Sequence, residues 1–170
     1  IAPKVGGIKV KGGTLKADGQ LAGTPSVLVD AIALVLTRDA AETLAKEGAA
    51  VVVNDLGGSR DGKGGSSSMA DQVVKEIQAA GGQAVANYDS VATVAGGENI
   101  CKTAVDAFGK VDILVNNAGI LRDMTLIKTD EASWDIVVQV HLKGTYCVTR
   151  PVFTHMKERG MAMEAIQQFL

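Results

Sequence analysis

Aromatic side chains are scarce in this sequence: one Trp, two Tyr and three Phe among 170 residues. A core built without them has to be filled by small aliphatic side chains. Alanine, valine and glycine dominate, as suits helices packed closely on a parallel sheet. Charge of one sign is lacking too. Seventeen Lys and Arg against nineteen Asp and Glu leave a formal net charge of −2. No basic stripe is visible, so nucleic acid is not the expected partner. There is no long apolar run: residues 27–36 are interrupted by Asp30 and are too short to cross a bilayer. The opening IAPKVGG has neither the charged nor the apolar region of a secretory leader, so neither secretion nor a membrane is expected. Only two cysteines occur, Cys101 and Cys147. They read as small buried hydrophobes on helices in a reducing compartment, cytoplasmic or otherwise intracellular, with no disulfide and no metal site.

What is present is glycine, twenty residues of it, and a regular alternation of apolar runs with helical patterns. "IKVK" and "TLKA" flank Gly12 and Gly13, which predicts an N-terminal β-hairpin. "VLVDAIALVL" reads as a buried strand, with "DAIALVL" as the first strand of a sheet. Asp39 and Glu42 resemble a capping pair for a helix over 38–47, closed by Gly48. Strands are expected at 50–54, 84–88 and 111–116. Helices lie between them, one with Met69, Val73 and Ile77 on a face, another with Ile100, Ala104 and Phe108. A long helix starts near Asp130 and carries Trp134, Val137, His141 and Tyr146, with a kink at Pro151. The tail 161–170 reads as a short docking helix. This rhythm implies βαβ units: one α/β domain over 1–170, doubly wound and three-layered, with a mainly parallel sheet of at least four strands.

In such sheets, ligands bind beyond the carboxyl ends of the strands, and three stretches end there. "VVVNDLGG" places Asp55 where a carboxylate can accept from the hydroxyls of an adenine ribose and repel an extra phosphate. Taken alone, Asp55 is better read as a solvated turn Asp. "NYDSV" places Asp89 and Ser90 where a carboxylate and the adjoining backbone can meet an adenine ring; alone, this too is a weak signal. "VNNAG" is more specific. Ala118 and Gly119 have almost no side chain, so a ribose can come close, and the Asn116 amide can tie neighbouring strands. His141, mid-helix, reads as structural. Lys143 and Tyr146 do not form a catalytic pair, because the Lys precedes the Tyr and position 150 is Arg.

"EGAAVVVNDLGG", "GGQAVANYDSV", "FGKVDILVNNAGILRD" and "WDIVVQVHLKGTYCVTR" together resemble the short-chain dehydrogenase/reductase family. The likeness is nearest to its (3R)-hydroxyacyl-CoA dehydrogenase branch, as in peroxisomal multifunctional enzyme type 2. It covers residues 48–160 and implies a Rossmann-like fold and NAD as cofactor. It also implies that Asp55 holds the adenosine ribose, that Asp89, Ser90 and Val91 hold the adenine, and that Asn116, Ala118 and Gly119 line the nicotinamide side. His141 falls where most of that family has a catalytic Asn. The family's TGxxxGxG loop is missing: Ala31, Val35 and Thr37 stand where its glycines would be. Its Ser and its Tyr-Lys pair are missing as well. A chain without them is expected to bind NAD weakly or not at all and to lack catalysis.

Residues 1–50, through "TLKADGQLAGTPSVLVDAIALVL", resemble the C-terminal flavodoxin-like domain of large-subunit catalases. The whole then looks like a chimera of two doubly wound proteins, joined at "AKEGAA". Three readings of function follow from these resemblances: an incomplete dehydrogenase domain that keeps an adenosine half-site, a recombined scaffold without a ligand, and a self-association module. The long helix commonly packs on a partner subunit in the resembled family, and an open sheet edge invites pairing, so a homodimer is expected.

Overall fold

The computed structural model describes residues 26–30, 36–57 and 68–159. Four strands are found: β1 (Ser26–Asp30), β2 (Ala50–Asn54), β3 (Gln83–Asn87) and β4 (Ile113–Val115). They form one sheet in the order β3-β2-β1-β4, and every pairing is parallel. The helices are α1 (Leu36–Lys46), α2 (Ser68–Ala79), α3 (Val94–Phe108), α4 (Glu131–Val138) and α5 (Gly144–Glu158). A π-helical turn (Gln139–Lys143) joins α4 to α5, and a short 3₁₀ turn (Leu126–Lys128) precedes α4.

All five residues of β2 are buried, as a central parallel strand requires. Its side chains alternate between two cores. Val51 and Val53 pack with Ala41 and Ala45 of α1 and with Ala70, Val73 and Ile77 of α2. Val52 packs with Ile100 and Ala104 of α3 and with Val148 and Val152 of α5. Each fully buried Val or Ile here contributes roughly 1.5–3 kcal/mol.

Local signals explain most boundaries. Thr93 caps α3 by accepting from the Gly96 N–H at 3.0 Å, and Gly109 ends the helix at φ 77, a left-handed angle that glycine takes without strain. Asp130 caps α4 by accepting from the Ser133 N–H at 2.7 Å, which holds its carboxyl below the usual range. Arg159 closes the far end of α5 onto the start of β4. It donates to the Val111 carbonyl and pairs with Asp112, whose other oxygen meets Lys110.

Three expectations need correction. The first strand is Ser26–Asp30 rather than "DAIALVL", and Leu36 already begins α1. An apolar run with no periodicity does not show where strand gives way to helix. Asp39 lies inside α1, so it is not the cap of that helix. The long helix is interrupted at Gln139–Lys143 rather than at Pro151, which sits within α5. The expected hairpin, the 58–67 loop, positions 31 and 35, and the tail 161–170 lie outside the described residues.

Candidate functional site

The sheet order places a reversal of chain direction between β1 and β4, because the chain steps outward from β1 through β2 to β3 and then returns across β1 to β4. A crevice forms at the carboxyl ends of the strands flanking such a point. Asp55, Asp89 and Asn116 follow β2, β3 and β4 at that end.

Asp55 is nearly buried, at 8 % exposure. One of its oxygens accepts from the Gly57 N–H at 2.7 Å, and its own N–H donates to the Asn87 carbonyl. Burial pushes its carboxyl up from the ordinary value, and the Gly57 bond offsets part of that rise. A carboxylate so placed keeps acceptor capacity for a pair of hydroxyls.

Asp89 sits in a network of asparagines that the sequence alone does not reveal. Asn54 and Asn87 end β2 and β3 in register, and both are buried. Asn54 Nδ2 donates to Asn87 Oδ1 at 2.7 Å and to the Asp89 carbonyl at 2.9 Å. Asn87 Nδ2 donates to Asp89 Oδ2 at 2.9 Å and to Thr103 Oγ1 at 2.9 Å, while Asn87 Oδ1 also accepts from the Asp89 N–H. Asn99 Nδ2 donates to Asp89 Oδ1 at 3.1 Å. Val91, two residues on, is buried in the core beneath α3, and Ser90 Oγ accepts from the Ala92 N–H. The signals for this network were polar residues closing two apolar strands and an Asn-Thr pair one helical turn apart.

The third group surrounds β4. Asn116 Nδ2 donates to Thr149 Oγ1 at 2.9 Å, so it ties the strand end to α5 rather than to a neighbouring strand. His141, in the π-helical turn, lies over Gly119: a Cβ there would come within 2.8 Å of the His141 Cε1. His141 Nε2 is 3.1 Å from the Ile120 nitrogen and 3.0 Å from the Ile120 oxygen. Ala118 packs against the α3/α5 core. His141 is therefore joined to the segment that carries Ala118 and Gly119, while Asp55 and Asp89 form a separate group on the β2–β3 side of β1. Among the described residues, no three His, Cys, Asp or Glu side chains are placed to hold a metal ion, and no helix is long and apolar enough to cross a membrane.

Comparison with known proteins bears directly on this arrangement. The short chain dehydrogenase family profile matches residues 27–163. A short-chain type dehydrogenase/reductase of Mycobacterium tuberculosis is 59 % identical over 125 residues, 74 % of this chain and 44 % of its own. The peroxisomal multifunctional enzyme type 2 of Drosophila melanogaster is 49 % identical over 148 residues, 87 % of this chain and 23 % of its own. A crystal structure of a short chain dehydrogenase from Mycobacterium avium superposes with a TM-score of 0.72 at 42 % identity, covering 82 % of this chain and 48 % of that one. The chain thus spans less than half the length of these relatives. The family match includes β1 and α1, so the dehydrogenase likeness extends over a stretch that was likened above to a catalase domain. A parallel sheet in the order β3-β2-β1-β4, polar groups at its carboxyl end and a family match over most of the sequence agree: the chain belongs to the short-chain dehydrogenase family.

Proposed function

We propose that this chain carries the adenosine-binding half of an NAD site, in a dehydrogenase domain related to those that act on 3-hydroxyacyl-CoA. The observation that carries the reading is the buried Asp55 carboxylate at the end of β2, beside the Asp89 network at the end of β3. Asp55 would accept from the ribose hydroxyls. Asp89, with Ser90 and Val91, would hold the adenine. Asn116, Ala118 and Gly119 would border the nicotinamide. When bound, NAD supplies a hydride acceptor; this chain's own residues bind and orient it.

The fit to the cofactor is uneven. The β2–β3 side offers acceptors where an adenosine offers donors. In the sequence, Ala31, Val35 and Thr37 fall where the resembled family has the glycines of its pyrophosphate loop, and Thr37 stands in the first turn of α1. Backbone approach to phosphate at a helix start needs residues without a side chain. Weak binding and no turnover by this chain alone follow from that, and from the lack of a Tyr with a Lys four residues later. Two buried free cysteines support a reducing compartment.

Calorimetric titration of the chain with NADH, beside Asp55→Ala, tests the reading. Saturable binding that the substitution weakens about tenfold supports it. Binding equal in both proteins, or no heat at millimolar NADH, refutes it and leaves the ligand-free scaffold.

A second reading, self-association, has its own support. An open groove of ≈ 310 Å³ lies between α3 and α5 and includes Val94, Tyr146 and Pro151. Val94 and Tyr146 are 42 % and 57 % exposed beside this groove.

A further inference from the structure

We propose that Asn99, on α3, is a positioning residue that sets the purine specificity of this site by fixing the Asp89 carboxylate. The proposal rests on the adenosine half-site reading and names what controls its selectivity. Four residues close a ring of hydrogen bonds, which runs through the backbone carbonyl of Asn99 as well as its side chain. Asp89 Oδ2 accepts from Asn87 Nδ2; Asn87 Nδ2 also donates to Thr103 Oγ1; the Thr103 hydroxyl donates to the Asn99 carbonyl at 2.9 Å; and Asn99 Nδ2 donates to Asp89 Oδ1. Asn99 and Thr103 are four apart on α3, so one helix face meets the end of β3.

Every member of the ring has its direction set by its neighbours. The Asn87 amide uses both of its donors and accepts twice, from Asn54 Nδ2 and from the Asp89 N–H. Flipping it would bring its oxygen against the Asp89 carboxylate. Asp89 is therefore held by its backbone N–H, its backbone carbonyl and both carboxylate oxygens. A carboxylate accepts about four hydrogen bonds, so two sites remain for a ligand, in a plane that the asparagines fix. A donor placed there is favoured and an acceptor is repelled. A 6-aminopurine presents a donor at that position, whereas a 6-oxopurine presents an acceptor. Discrimination of this kind depends on the carboxylate not rotating away. The Asn99 bond to Asp89 is exposed, so it can be removed without opening the core.

The test compares NADH with reduced nicotinamide hypoxanthine dinucleotide, by calorimetry, in the native chain and in Asn99→Ala. Alanine at an exposed helix position favours the helix, so the variant folds, and its thermal midpoint checks that. The native chain is expected to prefer the adenine form, and Asn99→Ala to narrow the preference about fivefold with an unchanged midpoint. An adenine preference that Asn99→Ala leaves intact overturns the proposal alone. A native chain that binds both forms equally removes Asp89 from the adenine and overturns the proposal with it. A native chain that binds neither overturns the half-site reading itself.

Discussion

Asp55 shows how one residue can serve binding at the cost of stability. Burial raises its carboxyl above the ordinary value, so the folded chain holds that proton to higher pH than the unfolded chain does. The linked stability is fully present below the ordinary carboxylate range and is lost as pH rises through the raised value. Asp55→Asn keeps an acceptor for the Gly57 N–H and removes the buried charge. We expect it to be more stable by about 1 kcal/mol at neutral pH, with the gain vanishing in acid, as read from urea denaturation at several pH values. NADH affinity should move the other way, falling in the variant and, in the native chain, rising with pH through the same window. His141 makes a different residue-scale point. A single ring nitrogen faces both the N–H and the C=O of Ile120, and it can donate or accept but not both at once. An amide can do both. His141→Asn is expected to be neutral or stabilising, and His141→Ala to lose about 1–2 kcal/mol, in thermal or chemical denaturation. Asp55 and Asp89 stood out as candidates because a polar side chain follows an apolar run at each. The asparagines that hold Asp89 did not, because their partners come from three elements that only the fold brings together.

Among the elements, β2 and β3 were readable to within a residue and the ends of α2 and α3 to within one or two, since glycines punctuate them; the start of α3 at Val94 was not, because the apolar face marked in the sequence begins only at Ile100. The boundary of β1 and α1 was not readable either, because residues 27–36 are apolar apart from Asp30 and lack the loop glycines that would mark the turn. The π-helical turn was hidden for another reason: QVHLK contains no Pro or Gly, and a widened backbone turn leaves no mark in such a sequence. The expected kink at Pro151 has a different outcome. Pro151 lacks the N–H that would bond the Cys147 carbonyl, and Gly97 of α3 lies against that carbonyl. A Cβ at Gly97 would run into the Cys147 oxygen and carbon. Gly97→Ala should therefore push α3 from α5 and cost about 2–3 kcal/mol in denaturant unfolding. Little loss of stability would mean that the two helices are less tightly apposed.

For the whole molecule, the alternation of strands and helices was enough to give the parallel α/β class, but not the strand order, which depends on crossovers that sequence does not encode locally. Among the described residues, β4, three residues long, is paired on one side only, to β1. With the exposed Tyr146 and Val94 beside the α3/α5 groove, this favours association. Sedimentation at high concentration is expected to show a dimer, and Tyr146→Glu to weaken it about tenfold or more; a monomer throughout would remove the assembly reading. The central claim is that an adenosine lies at the ends of β2 and β3. Amide chemical shifts of the nitrogen-15-labelled chain, followed through an NADH titration, test it most directly. The account predicts saturable shifts gathered at residues 55–57 and 89–91, with Asn99 and Thr103 among them. Shifts absent at millimolar NADH, or gathered instead along the α3/α5 groove, would contradict it.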